Sequence, residues 1–259
     1  MKIKRIIAGA LACATLFVLA ACGASTDEKK VITLATNAEF PPFEFVSDQG
    51  TGVVDQFDGI DILIGAEIAK DLGCELKIEN MKFESILAAV ATGKADMALA
   101  GMTVKPDRLE NADFSEPYWV AVQTILVPED NTDVVDVESL RGKKIGVVTG
   151  YTGDSALVDM GFESDLHRYT KGVDAVMDLK AGNLDAVVID SPTANRFIEK
   201  FGGIKGINDE AAFETEEYAV GVKKGNTELL EKINETIIRL KENGDIDRFA
   251  EEIDARLGE

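Results

Sequence analysis

The sequence predicts an α/β protein of two lobes, each a mostly parallel sheet flanked by helices, with two strands crossing between them. Three observations carry that expectation. Strand-like and helix-like hydrophobic patterns alternate from Val31 to Asp190, the order that builds parallel sheets. The alternation runs twice: Gly93-Lys-Ala-Asp96 and Gly182-Asn-Leu-Asp185 each end a helix and open a strand, and Gly101 and Asp190 both stand eight residues past the glycine. Two extended runs, 120–127 and 214–222, lack helical spacing and link the halves.

In the first half, Val31–Thr36 alternates as a strand and leads into Asn37-Ala-Glu-Phe-Pro-Pro-Phe-Glu-Phe45. Its two prolines exclude a helix and predict a rigid loop at a strand's carboxyl end. Residues 48–57 are polar and glycine-containing, which predicts a hairpin or exposed loop. Asp58-Gly-Ile-Asp61 opens a helix that Ile62, Ala66, Ala69 and Leu72 continue at helical spacing until Gly73. A strand at 75–79, a helix at 83–92 and a strand at 96–100 follow. Gly101 breaks that strand, and Pro106 bars a return to the ladder.

The second half repeats the order: a strand at 144–149, a short helix at 154–160, a strand at 166–169, a helix at 171–181 and a strand at 186–190. Its first strand lies closer to its glycine, so the first half is longer by 24 residues. Two amphipathic helices close the chain. Leu230, Ile233, Ile237 and Leu240 mark one, and Ile246, Phe249, Ile253 and Leu257 the other. The expected division is lobe 1 from 31–120 plus 220–259, and lobe 2 from 121–219.

The N-terminus stands apart from the fold. Lys2, Lys4 and Arg5 precede an apolar run, Ile6 to Ala20, too short for a comfortable membrane span. It ends in Leu19-Ala20-Ala21-Cys22, which resembles the lipobox of bacterial lipoproteins. The expectation is a signal peptide over 1–21, lipid on Cys22, and a flexible tether over 22–30. Lipid there would anchor the protein to the extracytoplasmic face of the cell membrane.

The formal net charge is −20, and no basic stripe exists to replace phosphate counterions, so nucleic acid is not an expected partner. The single histidine, His167, and the lone remaining thiol, Cys74, offer neither a metal site nor a disulfide framework. No metal and no cofactor are expected.

The residues after the third strand carry chemistry. In an open α/β sheet, ligands sit beyond the carboxyl ends of strands. There the chain places Thr103, main-chain N–H groups and Arg108. A guanidinium fork can grip a carboxylate with two parallel hydrogen bonds; pairing with a neighbouring acid is the plainer alternative.

Taken together, Ala35-Thr-Asn-Ala-Glu-Phe-Pro-Pro-Phe-Glu-Phe45, Asp58-Gly-Ile-Asp61, Gly93-Lys-Ala-Asp-Met-Ala-Leu-Ala-Gly-Met-Thr103 with Arg108, Phe114-Ser-Glu-Pro-Tyr118 and Leu140-Arg-Gly-Lys-Lys-Ile-Gly-Val-Val-Thr-Gly150 resemble the family-3 extracellular solute-binding proteins, which deliver polar amino acids to ABC importers. The resemblance implies a two-lobed periplasmic-binding-protein-like fold of type II, monomeric and non-catalytic, closing over an amino acid and partnered by the importer's permease.

It also implies roles. Arg108 would hold the ligand α-carboxylate, with Thr103 and the N–H of Thr152. Asp190 would hold the α-ammonium, with the Gly101 carbonyl and Ala100 beside it. Phe40 would form a wall, and Asn37 and Tyr151 would face the ligand side chain. Ile60 stands where many relatives place an aromatic, and Asn37 replaces an acid common in relatives for basic amino acids. An uncharged polar ligand and a cationic one both stay open.

On this assignment neither charge is satisfied until the lobes meet across the ligand, and direct pairing of Arg108 with Asp190 is the competing state. Two other functions compete with this one: a dehydratase-type enzyme on the same scaffold, and an amino-acid sensor module. Fold alone does not separate them. No base–nucleophile pair stands at matched strand ends, and no signalling segment is expected.

Overall fold

The computed structural model describes residues 30–47 and 49–258. The expected signal peptide, Cys22 and all of the tether but Lys30 lie outside them.

The described chain begins with β1 (Val31–Thr36), followed by short strands β2 (Glu39–Phe40), β3 (Glu44–Val46) and β4 (Phe57–Asp58). These three pair antiparallel as a small separate sheet, order β2-β3-β4. The stretch expected to be wholly loop thus carries two short strands, because the turn Pro41-Pro42-Phe43 is short enough to let Phe40 pair with Glu44. Helix α1 (Ile60–Asp71), β5 (Glu75–Asn80), a 3₁₀ turn at Phe83–Ser85, α2 (Ile86–Ala91) and β6 (Met97–Ala98) complete the expected β-α-β-α-β. After Gly101, a single helical turn, α3 (Pro106–Leu109), and β7 (Ala112–Phe114) stand where a plain turn was expected.

Each crossing run is two strands rather than one. The first comprises β8 (Trp119–Ala121) and β9 (Gln123–Pro128). Val122 leaves the ladder because its carbonyl accepts from Ser191 N at 2.8 Å. The second half then supplies β10 (Ile145–Val148), α4 (Thr152–Asp159), β11 (Leu166–Tyr169), α5 (Gly172–Lys180) and β12 (Ala186–Asp190). Helix α6 (Ser191–Phe201) and β13 (Ile204–Asn208) follow, in a region the sequence pattern left unassigned. The return run comprises β14 (Glu216–Tyr218) and β15 (Gly221–Lys223). It breaks where Ala219 N donates to Met102 O and Val220 N to Ser115 Oγ, at 3.1 and 2.9 Å. Helices α7 (Thr227–Glu242) and α8 (Asp245–Leu257) end the fold.

The two sheets have the same plan. One has the order β5-β1-β6-β15-β7 and the other β11-β10-β12-β9-β13. In each, the first three strands run parallel and the fourth, antiparallel to both neighbours, is the continuation of a crossing strand. The crossing strands β8 and β14 pair antiparallel as a two-stranded ribbon. The C-terminal helices pack on α1, where Arg239 reaches Asp71 at 2.7 Å. The chain therefore leaves the first lobe once, returns once, and finishes there. Burial is continuous across the seam: Phe40, Tyr118, Tyr151 and Tyr218 share one apolar cluster.

Candidate functional site

Arg108 lies on the single turn α3, which Pro106 starts by presetting φ at the first helical position. Its side chain turns back toward the sheet and is only 7 % exposed. Nη1 donates to Thr103 O at 2.9 Å, and Nη2 donates across the seam to Gly150 O at 3.2 Å. The guanidinium carbon lies 5.1 Å from the Phe83 ring centroid, within cation–π range. Burial lowers the Arg108 pKa below the ordinary value, and Asp107, Asp190 and Glu216 oppose that shift.

Asp190 ends β12 at the start of α6, and is 3 % exposed. Its carboxylate accepts from Gln123 Nε2 at 2.9 Å and from the Tyr218 hydroxyl. Burial raises its pKa, while the Tyr218 and Gln123 hydrogen bonds and the Arg108 charge lower it. Arg108 and Asp190 line one small hollow with about 10 Å³ of water-sized space. They are held there by separate partners rather than by each other.

Phe40, Phe83, Ala100 and Gly101 from the first lobe line the same hollow, with Tyr151 and Thr152 from the second. Tyr151 meets Phe40 edge-on at 5.3 Å and Phe83 at 4.8 Å, so the aromatic wall is built from both lobes. Gly101 needs its left-handed φ of +52°, and a Cβ there would stand 2.6 Å from Phe40 Cε1. Thr152 opens α4, so its N–H is among the first-turn donors with no carbonyl partner inside the helix.

The remaining expected residues sit one step back. Asn37 Oδ1 accepts from the Tyr151 hydroxyl at 3.0 Å, which orients that ring. The Thr103 hydroxyl accepts from Thr152 Oγ1 at 3.1 Å and donates to Glu216 Oε2 at 2.7 Å. It has no proton left to offer a ligand carboxylate, although its main chain stays beside Arg108. Ile60 departs from its expected place at the ligand. It is fully buried at the start of α1 and is not among the residues lining the hollow; its N–H donates to Pro42 O at 3.1 Å.

Four contributors were not anticipated: Phe83, Gln123, Glu216 and Tyr218. Gln123 Nε2 also donates to Glu216 Oε1 at 2.8 Å, so one amide joins two carboxylates. Burial and the Asp190 charge push Glu216 up to about 7. The only signal was polarity within the extended runs, Gln123 and Thr124 in one and Glu214 to Glu217 in the other, which does not single out Gln123 or Glu216. An alternation pattern reports which face a residue takes but not which partner it finds.

A larger open groove lies elsewhere, between Phe45, α6 and the end of α8. Its arginines are already neutralised: Arg256 binds Asp58 at 2.8 Å and Arg196 binds Glu199 at 2.5 Å. The small hollow instead gathers one cationic fork, one anionic acceptor, a helix N-terminus and an aromatic wall. Chemically, that set complements a carboxylate and an ammonium carried on one small molecule.

Comparison with known proteins agrees with this chemistry. The chain is 30 % identical to a probable histidine-binding protein of Neisseria gonorrhoeae over 270 residues, covering 100 % of this chain and 98 % of that one. An amino acid ABC transporter substrate-binding protein of Streptococcus pneumoniae, AbpA, solved with L-arginine bound, superposes with a TM-score of 0.81 at 34 % identity, covering 88 % of this chain and 96 % of that one. An ancestral arginine-binding protein bound to glutamine superposes with a TM-score of 0.78 at 34 % identity, covering 86 % and 97 %. The family model of the bacterial extracellular solute-binding proteins, family 3, matches residues 32–253. The chain belongs to that family.

Proposed function

We propose that this protein captures a polar amino acid as its zwitterion between two closing lobes and delivers it to the permease of an ABC importer. The observation that carries this reading is the convergence of Arg108, from the first sheet's side of the seam, and Asp190, from the second, on one hollow. Arg108 takes the α-carboxylate with the Thr152 N–H, Asp190 takes the α-ammonium beside Ala100 and Gly101, and Phe40 and Tyr151 flank the side chain. The lobes comprise 31–120 plus 220–259, and 121–219.

Closure follows from the same residues. Arg108 reaches Gly150, Tyr151 reaches Asn37, Thr152 reaches Thr103, and Thr193 Oγ1 donates to Pro41 O at 2.8 Å. Every one of these bonds joins the lobes, so a ligand gripped from both sides adds to contacts that exist only in the closed state. The relatives' ligands include cationic and uncharged polar side chains, and Asn37 and Glu216 leave both classes open here. The protein acts as a monomer on the extracytoplasmic face, held by lipid on Cys22. Cys22→Ala would release it from the membrane fraction.

A thermal-shift screen against the twenty amino acids tests the reading. A ligand that binds only the native state raises the melting temperature, by the equivalent of about 2.7 kcal/mol at a hundred times Kd. Failure of every polar amino acid to shift it overturns the proposal.

A further inference from the structure

Behind the hollow, two acids face each other without a cation among the described residues. Glu44 on β3 and Asp61 on α1 are both fully buried. Glu44 Oε1, Glu44 Oε2 and Asp61 Oδ1 have no hydrogen-bond donor among the described residues. The fourth oxygen, Asp61 Oδ2, accepts from Gly101 N and from the Tyr118 hydroxyl, each at 2.9 Å. The main chain forces the acids together. Asp61 N donates to Phe43 O at 2.9 Å, and Gly59 packs so tightly on Phe43 and Glu44 that a Cβ would stand 2.1 Å from the Phe43 carbonyl oxygen.

We infer that Glu44 and Asp61 share a single proton, with the Glu44 hydroxyl donating to Asp61 Oδ1, and that this pair fixes the Ala100–Gly101 peptide at the ligand's ammonium end. The second half of the inference rests on the ligand-binding reading above; the first half does not. Two ionised carboxylates in one desolvated site, with no neutralising partner, are far costlier than a pair holding one proton. The surrounding groups do not neutralise them: Asp190 is an acid, and the Tyr118 and Tyr151 hydroxyls are raised by burial. The neighbouring Asp58 is occupied by Arg256.

Burial and the charge of Asp61 hold Glu44 well above the usual carboxylate range. Burial lifts Asp61 to about 7, and the Gly101 N–H, Tyr118 and Glu44 all act to lower it. Asp61 has the Gly101 and Tyr118 donors and Glu44 has neither, so the proton belongs on Glu44 and the negative charge on Asp61, with three donors around it. That charge holds the Gly101 N–H. Because the N–H and C=O of a trans peptide point in opposite directions, it turns the Ala100 carbonyl away from the pair, toward the hollow that Ala100 and Gly101 line.

Infrared difference spectroscopy of the ligand-free protein at neutral pH tests the shared proton. The wild-type spectrum minus that of Glu44→Gln should show the C=O stretch of a protonated carboxyl; a difference spectrum without that band overturns the pair. Calorimetry with the amino acid found by the melting screen tests the positioning role. Glu44→Gln keeps an N–H donor for Asp61 and should bind within twofold of wild type, whereas Glu44→Ala should bind at least tenfold more weakly. Equal affinity of the two variants overturns the positioning half. If Glu44→Ala does not fold, a Gly101 amide resonance unchanged between wild type and Asp61→Asn overturns it instead. If no amino acid binds at all, the function reading fails while the infrared band still decides the pair.

Discussion

Arg108 and Asp190 are each nearly removed from water and each held by fixed partners. Truncating one partner of a buried charge pair costs about 2–5 kcal/mol. Arg108→Ala is therefore expected to abolish amino acid binding with the fold intact, as read by calorimetry and circular dichroism. Asp190→Ala should weaken binding by about 2–5 kcal/mol; a loss below about 0.5 kcal/mol, the scale of an exposed pair, would remove it from the site. Glu216 carries a pH dependence. Its folded value of about 7 lies above the ordinary 4.5, so the native state binds the proton more tightly than the unfolded chain does. Its contribution to stability is complete below the unfolded value and declines as pH rises toward about 7. Glu216→Gln should flatten that decline in urea melts recorded between pH 4.5 and 7; an unchanged slope would contradict the shift.

At the scale of elements, the site is assembled by strand ends and breaks. β6 stops at Ala98, and the turn that follows delivers Ala100, Gly101 and Thr103. Gly101 is the tightest point. With φ at +52° and Phe40 Cε1 2.6 Å from a Cβ, Gly101→Ala must move either the Phe40 ring or the turn. The expected result is a loss of at least about 1 kcal/mol in stability, the cost of strained backbone, and weaker binding by calorimetry. The crossing ribbon has a second role besides linkage. β8 runs on into the strand bearing Gln123, and β14 carries Glu216 and Tyr218. The hinge therefore holds the carboxylate of Asp190 directly.

For the whole molecule, closure and binding are one equilibrium. Lys171 and Glu39 form an interlobe ion pair at 2.7 Å near the rim, with side chains 47 % and 29 % exposed. Exposed pairs contribute about 0–1 kcal/mol, so Lys171→Ala should weaken affinity by less than about fivefold, an effect that salt diminishes. A loss of a hundredfold would mean that the latch, not the buried hydrogen bonds, governs closure. The net charge of −20 also predicts that association with a cationic amino acid slows as ionic strength rises, whereas a zwitterion with an uncharged side chain responds little. Stopped-flow rates at two salt concentrations would show which class of ligand the field favours.

The duplicated β-α-β-α-β order, the helix stops at Gly73, Gly93 and Gly182, and the strand-end positions of Gly101 and Asp190 were all legible in the amino-acid order. Hydrophobic period and turn chemistry are local properties, and local properties are written in sequence. The resemblance to a family then supplied roles for Arg108 and Asp190. Tertiary structure alone decided the partners. Gln123 and Glu216 were ordinary polar residues of extended runs until the fold joined them to Asp190 and Thr103. Ile60, which stands where many relatives place an aromatic, proved to lie outside the lining of the hollow. Glu44 and Asp61 were a loop residue and a helix-start residue until burial placed them face to face. A hydrogen bond between residues far apart in the chain depends on where two elements meet in space, and that is settled only when the whole chain packs.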